Sequence, residues 1–263
     1  MDQRNHLGEG MDENALYAER FSSAEHPVLT RVREQTLELL PGRAHMLSGV
    51  VQGQLLGMLA SMVRARRVLD VVCFTGYSAL STAAALDDDA VIYTVERDED
   101  TAALAQENFE RSPWAHKIHL VRADGIQLLT ELAGVLGGGG EGEGLPAGMA
   151  DGPFDMVYLD ANKKQYQNYF RLIFDSEILR VGGVLVVDNV LWKGKVPEFF
   201  GLTPEERVSR NQALESKGVR SLVEADKYAD AMHQFNILAR SHPRAQVVML
   251  PLRDGLSIIR RVE

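Results

Sequence analysis

Short runs of β-branched and apolar residues alternate with amphipathic segments through the middle and end of the chain. The runs predict strands at 68–72, 91–95, 118–122, 156–159, 184–187, 246–250 and 256–261. The amphipathic segments between the first five of these predict helices at 78–86, 101–111, 126–136 and 166–179. Such alternation is typical of a parallel sheet with helices on both faces, which predicts an α/β fold. The last two strands are joined by PLRDG, so we expect an antiparallel hairpin at one edge.

The segments outside this alternation complete a single-domain organisation. Residues 1–14 are polar and are expected to form a flexible tail, while residues 15–263 form the domain. Within the domain, residues 15–65 have a helical pattern and predict a group of N-terminal helices. The glycine-rich stretch at 137–152 is much longer than the ~2–6 residues that usually join a helix to a strand. We therefore expect it to be a mobile insertion loop on the surface.

Composition narrows the classes of function. The chain has 263 residues, of which 45% are hydrophobic, and a net charge of −9. An acidic chain without a long basic run is not expected to bind nucleic acid or an anionic membrane. Its one cysteine, Cys73, excludes an internal disulfide and a zinc site built on several thiolates, and fits the reducing cytoplasm. The polar N-terminus lacks the apolar core of a secretory signal, and no apolar stretch is long enough to span a bilayer.

The stretch RVLDVVCFTGYSAL, residues 67–80, predicts a buried strand that runs through a tight turn into a helix. Ligands of open parallel sheets bind beyond the carboxyl ends of the strands, which is where Asp70 and this turn lie. Gly76 lets the backbone approach a ligand closely. Glu96 ends the next strand, where a carboxylate suits the hydroxyls of a ribose. Asp124 ends the third strand, where it either caps the following helix or contacts an adenine edge.

This turn favours a nucleoside-like ligand that carries no phosphates. It contains Gly76 but not the G-x-G-x-x-G fingerprint that nicotinamide-dependent oxidoreductases use for a pyrophosphate. No cluster of basic residues compensates for the missing glycines. An adenosyl group without phosphates fits better, and this points to S-adenosylmethionine.

A second group of polar residues follows the fourth and fifth predicted strands. Asp160 ends the fourth strand, and Asp188 and Asn189 end the fifth. Neighbouring strand ends should bring these oxygen donors together, as ligands of a hard divalent cation such as Mg²⁺, Mn²⁺ or Ca²⁺. Lys163 lies three residues after Asp160, where a nearby cation favours the neutral form of a lysine and suits a general base. The alternative is that Asp160 and Asp188 each only cap a helix. Capping is the better explanation for either aspartate alone, but a metal site better explains both together with Asn189 and Lys163.

At these residues the chain resembles the cation-dependent O-methyltransferases of the catechol and caffeoyl-CoA type. The similarity covers residues 46–262 and is carried by GQLLGML, FTGYSAL, FDMVYLDANK, DNVLWKGKV and PLRDGLSIIRR, in that order. It implies a Rossmann-like, seven-stranded methyltransferase sheet, mostly parallel with an antiparallel edge hairpin. It also implies S-adenosylmethionine as cofactor, a divalent cation, a homodimer, and a vicinal aromatic diol as the methyl acceptor.

The resemblance also implies roles for individual residues. Asp160, Asp188 and Asn189 would bind the metal, and Lys163 would take the proton of the substrate hydroxyl. Asp160, Lys163, Trp192 and Lys193 would border the acceptor. The residues that would surround the cofactor are Ser48, Asp70, Val72, Cys73, Tyr77, Ser78, Glu96, Asp124, Gly125 and Asp160. The identity of the acceptor and the hydroxyl that is methylated stay open.

Two positions depart from the family pattern. Asn162 stands where the family usually has aspartate, which removes one negative charge near the cofactor. Val72 stands where the family has glycine. If the backbone there needs a positive φ, valine is strained by about 1–3 kcal/mol, and we expect cofactor binding to be weakened. The leading hypothesis is an active metal-dependent O-methyltransferase. The second is a non-catalytic binding or dimerisation module whose cofactor site is impaired by Val72, and the third is a nicotinamide oxidoreductase.

Overall fold

A computed structural model describes residues 13–217 and 219–263, without the side chains of 199–200 and 220–225. The strands are β1 Arg67–Val71, β2 Val91–Val95, β3 Ile118–Val121, β4 Phe154–Leu159, β5 Leu179–Asp188, β6 Ala245–Leu250 and β7 Leu256–Arg261. The helices are α1 Glu13–Phe21, α2 Pro27–Leu39, α3 Val50–Met62, α4 Tyr77–Ala83, α5 Glu99–Glu110, α6 Gly125–Leu136, α7 Tyr166–Asp175, α8 Lys195–Phe200, α9 Pro204–Ser216 and α10 Arg220–Ser241.

The seven strands form one sheet in the order β3-β2-β1-β4-β5-β7-β6. The first five are parallel, and β7 pairs antiparallel with both β5 and β6. The α/β fold and its antiparallel edge hairpin, predicted from the alternation of segments, are therefore confirmed. The order of strands reverses between β1 and β4, and at such a switch the carboxyl ends open a crevice.

Apolar side chains fill both faces of the sheet. One buried cluster packs α6, α7 and α10 against the sheet and includes Tyr166, Phe170, Phe174 and Phe235. The second packs α2, α3, α4 and α5 against the other face. Two layers of helices over a central sheet hold the strand ends in place, and those ends carry the polar residues of the site. Within the described part of the chain, no helix is long and apolar enough to cross a membrane.

The predicted helix at 166–179 is too long. Helix α7 ends at Asp175, and β5 already begins at Leu179. Between them, Glu177 has a φ of 59°, a left-handed conformation that a continuing helix does not allow. The apolar residues that follow Glu177 are buried as strand residues, which a short apolar run cannot distinguish from a helix end.

Part of the glycine-rich insertion is packed against the sheet. The Arg67 guanidinium at the start of β1 donates to the carbonyl groups of Gly148, at 3.0 Å, and Met149, at 2.7 Å. Met149 is fully buried, and the Tyr93 hydroxyl donates to the Ala147 carbonyl at 3.0 Å. The second half of the insertion is therefore anchored at the end of the sheet opposite the carboxyl edge.

Candidate functional site

The carboxyl ends of β1, β2, β4 and β5 border one cavity of about 890 Å³. It brings together every residue to which the family resemblance assigned a role except Asp70, which is buried behind the wall. The predicted residues that line it are Ser48, Val72, Cys73, Tyr77, Ser78, Glu96, Asp124, Gly125, Asp160, Lys163, Asp188, Asn189, Trp192 and Lys193. The predicted nucleoside and metal regions are therefore two parts of a single space.

The turn between β1 and α4 has an unusual backbone. Val72 has a φ of 90°, Phe74 of 51° and Gly76 of 89°. Gly76 suits its position, because a Cβ there would lie 2.5 Å from the Phe109 ring. Val72 does not suit its position, since a β-branched residue at a φ of 90° is sterically strained. By the general cost of such conformations, the strain at Val72 is about 1–3 kcal/mol. The backbone at Val72 thus has the positive φ for which we expected strain from the sequence.

Asp70 supports this turn from behind. Its Oδ2 accepts hydrogen bonds from Ser78 Oγ at 2.8 Å and from Thr94 Oγ1 at 3.1 Å. Its Oδ1 is buried and has no hydrogen-bond partner among the described residues. The pKa of Asp70 is raised to about 7, mainly by burial and also by the charges of Asp160 and Glu96, although the two hydroxyl donors lower it. Asp70 therefore keeps an acceptor that the protein itself leaves unused.

Glu96 ties the end of β2 to the same turn. Its Oε2 accepts the backbone N–H of Phe74 at 2.9 Å, and its Oε1 accepts those of Arg97 and Asp98, both at 2.9 Å. A carboxylate has about four acceptor positions, and three of these are occupied. One position on Oε2 remains for a ligand, so Glu96 as it lies here has room for one ribose hydroxyl.

Asp124 caps α6, because its Oδ1 accepts the N–H groups of Ile126 at 3.0 Å and Gln127 at 3.2 Å. Its side chain also borders the cavity. The next residue, Gly125, packs against Tyr169, whose hydroxyl would lie 2.7 Å from a Cβ at this position. The capping role is thus observed, and contact of Asp124 and Gly125 with an adenine stays a prediction.

Tyr77 and Cys73 are buried wall residues with partners inside the protein. The Tyr77 hydroxyl donates to Glu25 Oε1 at 2.6 Å, and this connects the first turn of α4 to the segment between α1 and α2. The Cys73 backbone N–H donates to the Val95 carbonyl at 2.8 Å. Burial raises the pKa of the Cys73 thiol, so the residue acts as a small apolar side chain.

The predicted metal ligands lie at the carboxyl ends of β4 and β5, and all three line the same cavity. Lys163 Nζ lies 2.6 Å from Asp160 Oδ1. Asp188 Oδ1 accepts the backbone N–H of Asn189 at 2.7 Å, and Asn189 Nδ2 lies 3.5 Å from Asp254 Oδ2. Burial raises the pKa of Asp188, and the negative charge of Asp160 raises it further. The negative charge of Asp160 thus disfavours the ionised form of Asp188.

These residues fit a hard divalent cation through their chemistry. The described residues contain no cluster of three or more His, Cys, Asp or Glu side chains that could hold a metal. The candidate set therefore consists of two carboxylates and one amide. Asn189 directs its amide nitrogen to Asp254, which leaves its carbonyl oxygen as the donor. Three oxygen donors with open positions suit Mg²⁺, Mn²⁺ or Ca²⁺, and the positive charge would relieve the repulsion between Asp160 and Asp188.

An aromatic pair lies beside this set. The ring centroids of Trp192 and Tyr228 are 4.9 Å apart, and Lys193 Nζ lies 5.5 Å from the centre of the Trp192 ring. Trp192 and Lys193 have φ angles of 41° and 54°, which turn the chain sharply between β5 and α8. Trp192, Lys193 and Tyr228 all border the cavity, so an aromatic surface is available next to the oxygen donors.

Sequence reasoning missed three residues of this site. Gln52 and Tyr158 bond to Asp188 and to each other, and Tyr228 pairs with Trp192. Gln52 leaves only a weak signal, because it is one of two glutamines, with Gln54, in the mostly apolar stretch VVQGQLLGML. Tyr158 immediately precedes the last residue of β4, where an aromatic residue is expected for packing alone.

Comparisons with known proteins agree with one another. A family model described as O-methyltransferase matches residues 19–262. Tricin synthase 1 of Oryza sativa subsp. japonica is 32% identical over 217 residues, which are 82% of this chain and 75% of that protein. Caffeoyl-CoA O-methyltransferase 2 of Petunia hybrida is 28% identical over 217 residues, which are 82% of this chain and 77% of that protein.

Solved structures have the same fold. The SAH-bound methyltransferase PaMTH1 of Podospora anserina matches with a TM-score of 0.74 and 24% identity, over 98% of this chain and 100% of that chain. The O-methyltransferase TomG of Streptomyces achromogenes, in complex with SAM, matches with a TM-score of 0.70 and 23% identity, over 95% and 96% of the two chains. At these identities the likeness establishes the fold.

Proposed function

The chain belongs to the O-methyltransferase family, whose methyl donor is S-adenosylmethionine, and we propose that it is an active, divalent-metal-dependent member. The observation that carries this proposal is the position of Lys163, 2.6 Å from Asp160 in the cavity that Asp188, Asn189 and the turn after β1 also line. Lys163 as base, the oxygen donors of Asp160, Asp188 and Asn189, and the turn that would bind the cofactor then share one cavity, as methyl transfer requires.

We propose a vicinal aromatic diol as the methyl acceptor. The names of several relatives identify caffeoyl-CoA as their substrate, and a caffeoyl group carries such a diol. Two adjacent hydroxyls can chelate one cation through both oxygens, whereas a single hydroxyl can bind it through one oxygen only. In this chain the Trp192–Tyr228 pair offers a surface against which the acceptor ring would pack. Lys193 borders the same part of the cavity.

In the proposed mechanism the chain positions the acceptor and moves one proton. Lys163 Nζ accepts the proton of the reacting hydroxyl, and Asp160 holds Lys163 in place for that transfer. When bound, the cation would supply Lewis-acid stabilisation of the deprotonated oxygen, and S-adenosylmethionine would supply the methyl group. The new O–CH₃ bond replaces the S–CH₃ bond, which leaves S-adenosylhomocysteine, and Lys163 then passes its proton to water. Orientation of the two reactants can contribute ~7–11 kcal/mol to such a step.

Cofactor binding would use the turn after β1 and the strand ends beside it. Ser78 and Asp70 would hold the amino-acid end, with Ser48 nearby: Ser78 lines the cavity, and Asp70 would act from behind the wall by accepting a hydrogen bond from the Ser78 hydroxyl at 2.8 Å. Glu96 would accept one ribose hydroxyl through its remaining position. Asp124 and Gly125 would border the adenine.

One observation favours a second candidate function. Val72 has a φ of 90° at the place where the cofactor backbone contact is expected, so its strained side chain could prevent binding. The fold would then be a non-catalytic binding or dimerisation module. The cavity argues against this alternative, because it keeps about 890 Å³ of space with Val72 in its wall.

We also propose a cytoplasmic homodimer. Exposed apolar side chains on α1 and α3 support self-association, among them Tyr17, Phe21, Met58 and Met62. Cys73 is unpaired, which is compatible with a reducing compartment. Light scattering after gel filtration tests the dimer directly, because a mass near 29 kDa instead of twice that value would contradict it.

The experiment that tests the proposed function is a methyl-transfer assay with paired acceptors. The purified protein receives labelled S-adenosylmethionine and either a 3,4-dihydroxyphenyl acceptor or its 4-hydroxyphenyl counterpart, with Mg²⁺, Mn²⁺, Ca²⁺ or EDTA. We expect a methylated product from the diol only, with a divalent cation only. Equal product formation in EDTA would contradict the metal requirement, and equal methylation of the monohydroxy acceptor would contradict the proposed substrate class.

A further inference from the structure

Gln52 lies on α3, which packs on one face of the sheet, whereas α7 packs on the other face. From α3 its side chain reaches Asp188 of the proposed metal site. Its side chain is 1% exposed, and its neighbours on α3 are mostly apolar. The amide nitrogen donates both of its hydrogens, to Asp188 Oδ2 at 2.8 Å and to the Tyr158 hydroxyl at 2.9 Å. The Tyr158 hydroxyl in turn donates to Asp188 Oδ2 at 3.2 Å. Three side chains from three separate elements thus form a closed, buried triangle of hydrogen bonds.

The triangle determines which oxygen of Asp188 is available. A carboxylate oxygen has two acceptor positions, and both positions of Oδ2 are occupied by Gln52 and Tyr158. Oδ1 accepts one hydrogen bond, from the backbone N–H of Asn189 at 2.7 Å. One acceptor position therefore remains on Asp188, and it belongs to Oδ1.

We propose that Gln52 is a positioning residue that, together with Tyr158, presents Asp188 to the divalent cation as a ligand through Oδ1 alone. This inference rests on the metal dependence proposed above. Without the two donors, the carboxylate could rotate about χ2 or offer both oxygens, and the alignment of Oδ1 with the donors of Asp160 and Asn189 would be lost. Partners of this kind orient metal-binding side chains in many proteins, and their removal typically weakens metal affinity by 10–100-fold.

The amide suits this role better than the two obvious alternatives. A glutamate at position 52 would place a further negative charge against Asp188 and could not donate when ionised. A leucine would have a similar size but would leave Asp188 Oδ2 and the Tyr158 hydroxyl with one donor fewer in a buried place. A buried amide is costly unless its hydrogens are bonded, and here both are.

Gln54 provides a matched control on the same helix. It lies two residues further along α3, and its amide nitrogen donates to the Ser23 carbonyl, away from the cavity. Gln54→Leu makes the same chemical change as Gln52→Leu without touching Asp188. Tyr158→Phe is the second variant, since it removes one donor to Oδ2 and leaves Gln52 in place.

The test is calorimetric titration of Mn²⁺ into the whole protein and its variants, with urea unfolding of each metal-free variant. We expect Gln52→Leu to bind Mn²⁺ about 10–100-fold more weakly, Tyr158→Phe to weaken it in the same direction, and Gln54→Leu to leave it unchanged. If Gln52→Leu does not fold, the Mn²⁺ affinity of Tyr158→Phe is compared with that of Gln54→Leu, and equal affinities would overturn the proposal. Equal affinities of the wild type and the site variants would overturn the role of Gln52 and leave the metal site standing. A wild type that binds no Mn²⁺ would overturn the metal site and this inference with it.

Discussion

Lys163 Nζ lies 2.6 Å from Asp160 Oδ1, and both side chains line the cavity at the carboxyl edge of the sheet. The lysine follows β4 by four residues, and a single 3₁₀ turn at Lys163–Gln165 sets its direction. Asn162 caps that turn by accepting the N–H of Lys164 at 3.2 Å. Asparagine at this position therefore retains the turn, although it lacks the negative charge of the family's usual aspartate.

The first prediction concerns the proposed base. Lys163→Met should lower kcat for methyl transfer by about 10²–10⁴-fold, because it removes the group that accepts the hydroxyl proton. Binding of S-adenosylmethionine, measured by calorimetry, should stay unchanged. Lys195→Met is the matched control, since the Lys195 ammonium pairs with Glu198 at 3.0 Å and does not line the cavity. A Lys163→Met enzyme that keeps more than a tenth of wild-type kcat would exclude Lys163 as the base.

The second prediction concerns the strain at Val72. Val72→Ala and Val72→Gly both lose the packing of the valine side chain, but only glycine adopts a φ of 90° without steric cost. Val72→Gly should therefore have a free energy of unfolding about 1 kcal/mol higher than Val72→Ala. Urea unfolding of the two variants measures this difference. At positions with negative φ, a glycine variant has a lower free energy of unfolding than an alanine variant. If Val72→Ala were the more stable of the two variants, the valine at this position would not be strained.

The third prediction concerns pH. Asp70 titrates near 3.9 in an unfolded chain, and burial raises its pKa to about 7 in the folded protein. Between these values the folded state binds more protons than the unfolded state, so the contribution of Asp70 to stability falls as pH rises from about 4 to about 7. Its destabilising effect is complete above pH 7.

Asp70→Asn should remove this dependence and make the protein more stable at pH 8. The amide oxygen can still accept from Ser78 and Thr94, so the hydrogen bonds that Asp70 makes are kept. Urea unfolding at pH 5, 6, 7 and 8 tests the expectation. Asp188 contributes to the wild-type slope in the same direction, so the slope of Asp70→Asn should be reduced but not abolished. An unchanged slope would contradict this assignment.

The fourth prediction concerns the hydrogen bond from Tyr77 to Glu25. Glu25 also accepts from Thr30 and pairs with Arg33 at 2.9 Å, so its carboxylate joins the N-terminal helices to α4. Burial would raise the pKa of Glu25, but its bonds to Arg33, Tyr77 and Thr30 outweigh burial and lower it. Tyr77→Phe should therefore cost about 1.5–3 kcal/mol of stability at neutral pH.

Tyr17→Phe is the matched control for this change, because Tyr17 is 65% exposed on α1. Urea unfolding should show a negligible effect for Tyr17→Phe. If the two variants were equally stable, the Tyr77–Glu25 bond would make no net contribution. Since Glu25 has a lowered pKa, the loss in Tyr77→Phe should also shrink as the pH falls below about 4.

Much of the site could be predicted because strand ends are local features of a sequence. Glu96, Asp160 and Asp188 each close an apolar run or directly follow one, and the alternation of elements places those ends at one edge. The same pattern predicts the parallel strands and the antiparallel edge hairpin, but not the order of the strands in the sheet. Their proximity in the cavity therefore required no information about distant contacts.

The missed residues depend on contacts between distant parts of the chain. Gln52 and Asp188 are 136 residues apart, and no local periodicity indicates that α3 lies against the end of β5. The packing of the glycine-rich insertion similarly depends on Arg67, which is 81 residues away from Gly148. A valine in place of glycine was visible in the sequence, but the φ of 90° at Val72 could be found only in the structure.

The most direct test of the account is calorimetric titration of S-adenosylmethionine, with Mg²⁺ present, into the wild type beside Val72→Gly. The account predicts micromolar binding to the wild type, because the cavity stays open around Val72, and tighter binding to Val72→Gly. Binding only by Val72→Gly would contradict an active enzyme and favour the non-catalytic module. Binding by neither protein would contradict the proposal that this cavity takes S-adenosylmethionine.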